Sequence, residues 1–227
     1  MFYPPRAASA LAAAVLVVFG LMAGPQNTPA YGAPMALQSV SAVATPASAT
    51  ASPAASPSVI GAAPVLAPGK AASQVRISGC TKSQKKSLVS YIKKWGKYSN
   101  INSITCKSRT SHLGVTTMYF YPNGSATIIL RKSMSGTKFR QVAVHEIMHA
   151  VESYDYGQRG ALEWPQVRSE LGHVFGYGSG KWGVLEVTAD CMTQRATGSK
   201  AYLHYKPHGC SASQRSAAGR LIAGHQV

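Results

Sequence analysis

Two histidines and a glutamate lie close together in the stretch FRQVAVHEIMHAVESYD, at positions 145, 149 and 146. Residues four apart on a helix are neighbours, so His145 and His149 would bring two imidazole rings to one Zn²⁺ ion. Glu146 lies one step further around the helix and would reach a water on that ion without binding the ion itself. The carboxylate would accept a proton as this water attacks a peptide carbonyl. The H-E-x-x-H spacing therefore predicts zinc-dependent hydrolysis of peptide bonds, with Glu146 as the general base.

Catalytic zinc usually has three protein ligands, so a further ligand is expected outside this motif. The downstream stretch GVLEVTADCM has the pattern of a helix in which Leu185, Ala189 and Met192 pack inward. Glu186 and Asp190 would share another face of that helix. Glu186 would bind the metal, and Asp190, one turn later, would hold a histidine ring nitrogen in the correct tautomer. Two solvated acids on a helix surface are the alternative interpretation.

Together, H-E-I-M-H and the later E-V-T-A-D resemble the gluzincin branch of zinc metallopeptidases. The resemblance covers roughly residues 125 to 195 and depends on these two motifs. In that branch a glutamate on a second helix completes the zinc site, and small secreted bacterial members share E-x-x-A-D. The resemblance implies a small α+β, zincin-like domain in which a β-hairpin or sheet borders the H-E-x-x-H helix. It also implies a peptide or protein substrate that pairs, in extended form, with the bordering strand.

A second arrangement competes for the third ligand. The residues from His149 to Asp155 resemble the metzincin pattern H-E-x-x-H-x-x-G-x-x-D, which would make Asp155 a ligand. That pattern needs a glycine where this chain has Glu152, because the backbone must turn sharply there. We therefore expect Glu186 to be the third ligand. Glu152 shares the histidine face and is expected to support a ligand or form an ion pair.

A hydrolase of this kind also needs a hydrogen-bond donor for the negative charge that develops on the attacked carbonyl oxygen. The sequence offers eight candidates and no means of choosing among them: Tyr154, Tyr156, His173, Tyr177, Tyr202, His204, Tyr205 and His208.

The helix that carries the motif is predicted from Phe139 to Tyr154, after a start signal at Gly136 and Thr137. One side of it is a broad apolar arc made of Phe139, Ala143, Val144, Ile147, Ala150, Val151 and Tyr154. His145 and His149 lie on the opposite side. The sequence therefore predicts that both histidines point away from the core.

Two other elements are predicted before this helix. The strand-like runs Thr116–Tyr121 and Ser125–Leu130 flank Pro-Asn-Gly and predict a β-hairpin. The stretch CTKSQKKSLVSYIKKWGK predicts a helix that begins with a capping box of Thr81 and Gln84 and ends at Gly96. The apolar stripe of that helix is formed by Leu88, Tyr91, Ile92 and Trp95.

The chain divides into three parts by composition. Residues 1–30 combine a basic start, an apolar run and small residues, as in a secretory signal peptide cleaved after Ala30. An uncleaved membrane anchor is the alternative, and only then would a membrane be a partner. Residues 31–72 are rich in Ala, Pro and Ser and predict a disordered stalk. Residues 73–227 are long enough for one domain with a single core, which we expect to be the metallopeptidase-like domain.

Four cysteines lie in this last part of the chain. An even number of cysteines in an exported chain predicts disulfides. Of the three possible connectivities, Cys80 with Cys106 and Cys191 with Cys210 close the shortest loops and are favoured. Free buried thiols are the alternative.

The net charge of +16 is unevenly distributed, because all seven acids lie between residues 146 and 190. A strongly basic surface attracts polyanions. For an exported protein we expect these to be anionic cell-envelope polymers or lipid head groups, and no nucleic acid. Two other functions fit the same features. One is a catalytically inactive zincin-fold module that binds the envelope through its basic surface, and the other is a cationic membrane-active protein.

Overall fold

Five α-helices and a mixed β-sheet form the part of the chain that the structure describes. The structure is a computed structural model, and it describes residues 16–18, 66–119, 123–158, 164–180, 182–225 and 227. The helices are α1 (Lys82–Trp95), α2 (Gly136–Gln158), α3 (Trp164–Phe175), α4 (Gly183–Thr197) and α5 (Ala212–Ile222). The strands are β1 (Leu16–Val18), β2 (Arg76–Ser78), β3 (Asn100–Lys107), β4 (Gly114–Tyr119) and β5 (Ser125–Arg131). A short 3-10 helix spans Ala72–Gln74. The predicted α+β class is confirmed.

The strands have the order β1-β4-β5-β3-β2 in the sheet. Strand β3 runs parallel to β2 and β5, while β4 runs antiparallel to β5 and to β1. Strands β4 and β5 form the predicted hairpin, with Tyr119 opposite Ser125 and Thr116 opposite Ile128. Gly124, in the connection, has a φ of +59°, a conformation in which glycine carries no steric penalty.

The first core lies between the sheet and helices α1 and α2. Side chains alternate between the two faces of a strand, so Ala126, Ile128 and Leu130 of β5 are buried while Thr127 and Ile129 face the other way and are partly buried. The buried row packs with residues of β3, α1 and α2, including Ile101, Ile104, Leu88, Ile92, Phe139, Ala143 and Ile147. Each fully buried Leu or Ile stabilises the fold by about 1.5–3 kcal/mol.

A second core lies on the other side of α2 and contains residues of α3, α4 and α5. Val144 and Met148 of α2 pack there with a cluster that includes Leu171, Phe175, Leu185, Met192 and Leu221. Helix α2 is therefore buried on both sides. The prediction that its histidines point away from the core is wrong, since only 4% of His145 and none of His149 is exposed. Helix α4 covers that face.

The predictions of α1 and of both disulfides, which depend on local sequence signals, are confirmed. Thr81 and Gln84 form a reciprocal capping box at the start of α1, and Gly96 follows its last residue. Leu88, Ile92 and Trp95 are buried as predicted. The structure also contains the two favoured disulfides, Cys80–Cys106 and Cys191–Cys210.

The predicted signal peptide and stalk lie mostly outside the described residues. Leu16–Val18 forms β1, and residues 66–72 contact the domain. There, the backbone N–H of Gly69 donates to Lys97 O at 2.9 Å, and the Tyr154 hydroxyl donates to Ala67 O at 3.1 Å. Among the described residues, no helix has the length and apolar character needed to cross a membrane.

Candidate metal centre

Helices α2 and α4 bring His145, His149 and Glu186 together into a buried group that could hold a metal ion. One ligand atom from each residue lies within 4.8 Å of the other two. Glu186 Oε2 is 3.2 Å from His145 Nε2 and 3.5 Å from His149 Nε2. The two helices thus bring three predicted ligands together, although Glu186 follows His145 by 41 residues in the chain.

The two separations from Glu186 are close to the spacing of ligands around a tetrahedral ion such as zinc. Two ligand atoms that each lie about 2.1 Å from a tetrahedral zinc are roughly 3.4 Å from each other. The two distances from Glu186 Oε2 to the imidazole nitrogens lie on either side of that value. Two imidazoles and one carboxylate are also a donor set that binds catalytic zinc and leaves a fourth position open.

Asp190 contacts the ring of His145 on the side away from Glu186. Asp190 Oδ1 lies 3.0 Å from His145 Nδ1. Its other oxygen, Oδ2, accepts hydrogen bonds from the backbone N–H groups of Tyr205 at 2.7 Å and Lys206 at 3.0 Å. Asp190 is fully buried, and burial of a carboxyl group is costly unless it has such partners. Its role as the support of a metal ligand stays a prediction.

Glu152 has the equivalent position beside His149. Its Oε2 lies 2.8 Å from His149 Nδ1, and its side chain is buried. Each histidine therefore has a carboxylate at Nδ1, which leaves Nε2 on the side of Glu186. A carboxylate at the far nitrogen fixes both the tautomer and the direction of a metal-binding imidazole.

The protonation of this group follows from the crowding of acids around two histidines. Burial lowers the pKa of both histidines, but Asp190 and Glu186 raise the pKa of His145 well above its usual value. In the same way Glu186 and Glu152 raise the pKa of His149 to about 9. Burial tends to raise the pKa of Glu186, but the two histidines lower it well below the usual range. Burial raises the pKa of Glu152 to about 7. A metal binds neutral imidazole, so its binding here would compete with protonation of the two histidines.

Glu146 does not belong to the group that could hold a metal and is instead in contact with strand β4. The Thr116 hydroxyl donates a hydrogen bond to Glu146 Oε2 at 2.6 Å. A Cβ atom placed on Gly114 would lie 2.4 Å from Glu146 Oε1, so only glycine leaves room for the carboxylate. Burial raises the pKa of Glu146. Neither Gly114 nor Thr116 was identified as functional from the sequence.

Asp155 lies outside the metal-binding group. Helix α2 is uninterrupted from Gly136 to Gln158, so the backbone does not bend sharply after Glu152. Asp155 is buried further along the same helix. The described residues therefore do not have the backbone geometry that the metzincin arrangement requires.

Tyr205, one of the eight candidate hydrogen-bond donors, is connected to this site through Asp190. Its backbone is bound to Asp190, and its side chain is partly buried against the second core. Burial raises the pKa of Tyr205 to about 12, and the charges of Glu186, Asp190 and Glu146 contribute to this shift. By contrast, Tyr177 and Tyr202 are 45% and 51% exposed.

No protein-family model, curated protein or solved structure matches this chain. The fold class and the group of three residues that could hold a metal therefore stand on the coordinates, and the gluzincin resemblance stays a prediction. A functional assignment has to be argued from the chemistry of the site.

Proposed function

We propose that this chain is a zinc-dependent metallopeptidase of the gluzincin type. In this proposal His145, His149 and Glu186 bind the metal, and Glu146 is the general base. The observation that carries it is the placement of Glu186 Oε2 at 3.2 and 3.5 Å from the two imidazole nitrogens, on a helix distant in sequence. Chance occurrence of H-E-x-x-H would not place a third donor at a distance suited to zinc.

When bound at such a site, zinc lowers the pKa of a water molecule to about 7 and polarises a carbonyl group. Glu146 is adjacent in sequence to His145 and has a raised pKa because it is buried. A base whose pKa is nearer to the working pH accepts a proton and releases it again more readily. Glu146 would take the proton of the attacking water and pass it to the leaving amine.

Tyr205 is the residue that we propose as hydrogen-bond donor to the carbonyl oxygen. A tyrosine with a pKa of about 12 stays protonated at the pH values at which a peptidase works. Its phenol group can therefore donate a hydrogen bond throughout the reaction. Preorganised donors of this kind supply a large part of the rate enhancement in acyl-transfer enzymes.

The distribution of charge supports an anionic partner or substrate. Five of the seven acids are buried, namely Glu146, Glu152, Asp155, Glu186 and Asp190. Most of the net positive charge therefore remains on the surface of the protein. Two disulfides fit an exported protein. We propose that peptides or proteins near anionic cell-envelope polymers are the substrates.

The proposal is tested with zinc-loaded protein and denatured casein or a fluorogenic peptide library as substrate. Cleavage should require zinc and stop on chelation. Glu146→Gln should abolish cleavage and keep a full equivalent of zinc by mass spectrometry, whereas Glu170→Gln on α3 should leave activity unchanged. Turnover that persists in Glu146→Gln would rule out this mechanism.

The same burial of acids favours a second candidate, an inactive module that binds the envelope through its cationic surface. That module would sediment with anionic polymer and keep doing so in Glu146→Gln and in chelator. It would cleave none of the peptides in the library, with or without zinc.

A further inference from the structure

Strand β4 crosses α2 at the general base. Gly114 and Thr116 are two apart in β4, so they face the same side of the sheet, toward α2. Both residues contact Glu146, at the two different oxygens of its carboxylate. Thr116 is fully buried, and its hydroxyl oxygen lies 2.6 Å from Oε2 and 3.1 Å from the backbone oxygen of Glu146.

The contact at Gly114 is steric. A Cβ atom at this position would lie 2.4 Å from Oε1, 2.7 Å from Cγ and 2.8 Å from Cδ of Glu146. Non-bonded atoms cannot approach so closely. The carboxylate thus occupies the space that any other residue at position 114 would fill.

The contact at Thr116 is polar and meets a specific need. A buried carboxylate is costly unless a donor satisfies it. A glutamate side chain also has three rotatable bonds, and general-base catalysis requires its oxygen within hydrogen-bond reach of the water. One donated hydrogen bond and one closely fitting backbone surface restrict both the position and the direction of the carboxylate.

We propose that Gly114 and Thr116 are positioning residues that together seat Glu146 for proton transfer. Gly114 makes room for the carboxylate against β4, and Thr116 fixes its Oε2 by a hydrogen bond. The expected effects on activity rest on the proposed function, whereas the contacts of Gly114 and Thr116 with the Glu146 carboxylate are a property of the fold. Catalysis should therefore depend on two residues of β4 that contact neither the metal ligands nor the solvent.

The first test measures steady-state kinetics of the full-length, zinc-loaded protein on a fluorogenic peptide. Thr116→Val keeps the shape of the side chain and removes the donor. It should lower kcat by about 10 to 100-fold, as loss of an outer partner does in metal sites, with KM and zinc affinity changed by less than about threefold. Thr116→Ser should keep most of the wild-type kcat, because serine retains the hydroxyl group. Thr117→Val, on the opposite face of the same strand, is the matched control and should keep full activity.

Gly114→Ala tests the steric contact between position 114 and the Glu146 carboxylate. The added methyl group should displace the carboxylate and lower kcat by at least about tenfold while zinc stays bound. Gly219→Ala in α5 is the control, because its Cβ atom would meet only the flexible side chain of Arg195, at 3.1 Å. Unchanged kcat in both Thr116→Val and Gly114→Ala of an active enzyme would overturn the proposal.

A second measurement tests the contact of Thr116 with Glu146 even if the wild-type protein shows no peptidase activity. In chelator-treated protein, Thr116→Val should lower the melting temperature by about 4 °C, because it leaves a buried acceptor without its donor. In a Glu146→Ala background the same substitution should lower it by a clearly smaller amount, because only the longer contact with the backbone oxygen of residue 146 is then lost. Equal shifts in melting temperature in both backgrounds would overturn the proposal that Thr116 holds the Glu146 carboxylate. If the wild-type protein is inactive and the two shifts are unequal, the proposed function is rejected, while the contact of Thr116 with the Glu146 carboxylate is supported.

Discussion

Asp190 and Tyr205 are joined by a hydrogen bond of 2.7 Å, which the Tyr205 backbone N–H donates to Asp190 Oδ2. The other oxygen of the same carboxylate lies 3.0 Å from His145 Nδ1. One buried side chain of α4 therefore contacts a predicted metal ligand of α2 and the loop that follows α4. The disulfide Cys191–Cys210 closes this loop beside Asp190. Asp190 thus connects the predicted metal ligand His145 with the backbone of Tyr205.

Asp190→Asn should weaken zinc binding by about 10 to 100-fold, since a neutral amide orients and polarises the imidazole less well than a carboxylate. It should also lower kcat, because the amide cannot reproduce all the contacts to His145, Tyr205 and Lys206. Zinc titration against a competing chelator measures the first effect. Wild-type affinity in Asp190→Asn would contradict the supporting role of this carboxylate.

Much of the site was predictable because its signals are local. The spacing of His145 and His149 on one helix, and of Glu186 and Asp190 on another, follows from 3.6 residues per turn. The capping box of α1 and the short loops closed by both disulfides are local as well. Each of these features involves residues that are near each other in the chain or on one helix.

What the sequence did not predict depends on packing between distant elements. The apolar arc of α2 indicates one buried face, but α4 also covers the histidine face, where its Glu186 and Asp190 contact His145. The contact of Thr116 with Glu146 spans 30 residues of sequence. A glycine inside a strand often marks a close approach of another chain segment. Gly114 gave no such signal, because the strand predicted from the sequence begins at Thr116 and Gly114 is the first residue of β4.

The third ligand is tested by comparing Glu186→Ala with Asp155→Ala. Glu186→Ala should weaken zinc binding by more than the roughly 10 to 100-fold expected for an outer partner, because two imidazoles make an incomplete site. Asp155→Ala should retain zinc, since helix α2 runs straight past Glu152 and carries residue 155 away from the metal-binding group. Zinc titration of both variants decides the matter. The opposite ordering would favour the metzincin arrangement.

Zinc binding should become tighter as the pH rises and should release protons. The metal binds neutral imidazole, whereas neighbouring acids raise the pKa of His149 to about 9 and that of His145 well above its usual value. Protons therefore compete with zinc below the histidine pKa values, and affinity should rise by about tenfold per pH unit for each proton displaced. Calorimetry in two buffers of different ionisation enthalpy counts the protons. Affinity that is constant between about pH 6 and pH 8 would show that the histidines are already neutral.

Tyr205→Phe should lower kcat by about 10²–10³-fold, the usual cost of removing one donor to a developing oxyanion. Zinc affinity should be unchanged, because the contact of Tyr205 with Asp190 is made by the backbone N–H and survives the substitution. KM should change little, since the hydrogen bond becomes strong only as charge develops on the carbonyl oxygen. Tyr202→Phe is the matched control, because Tyr202 lies in the same loop and is 51% exposed. Steady-state kinetics of the two zinc-loaded variants measure the difference. A normal kcat in Tyr205→Phe would show that another group stabilises the oxyanion and would remove Tyr205 from the proposed mechanism.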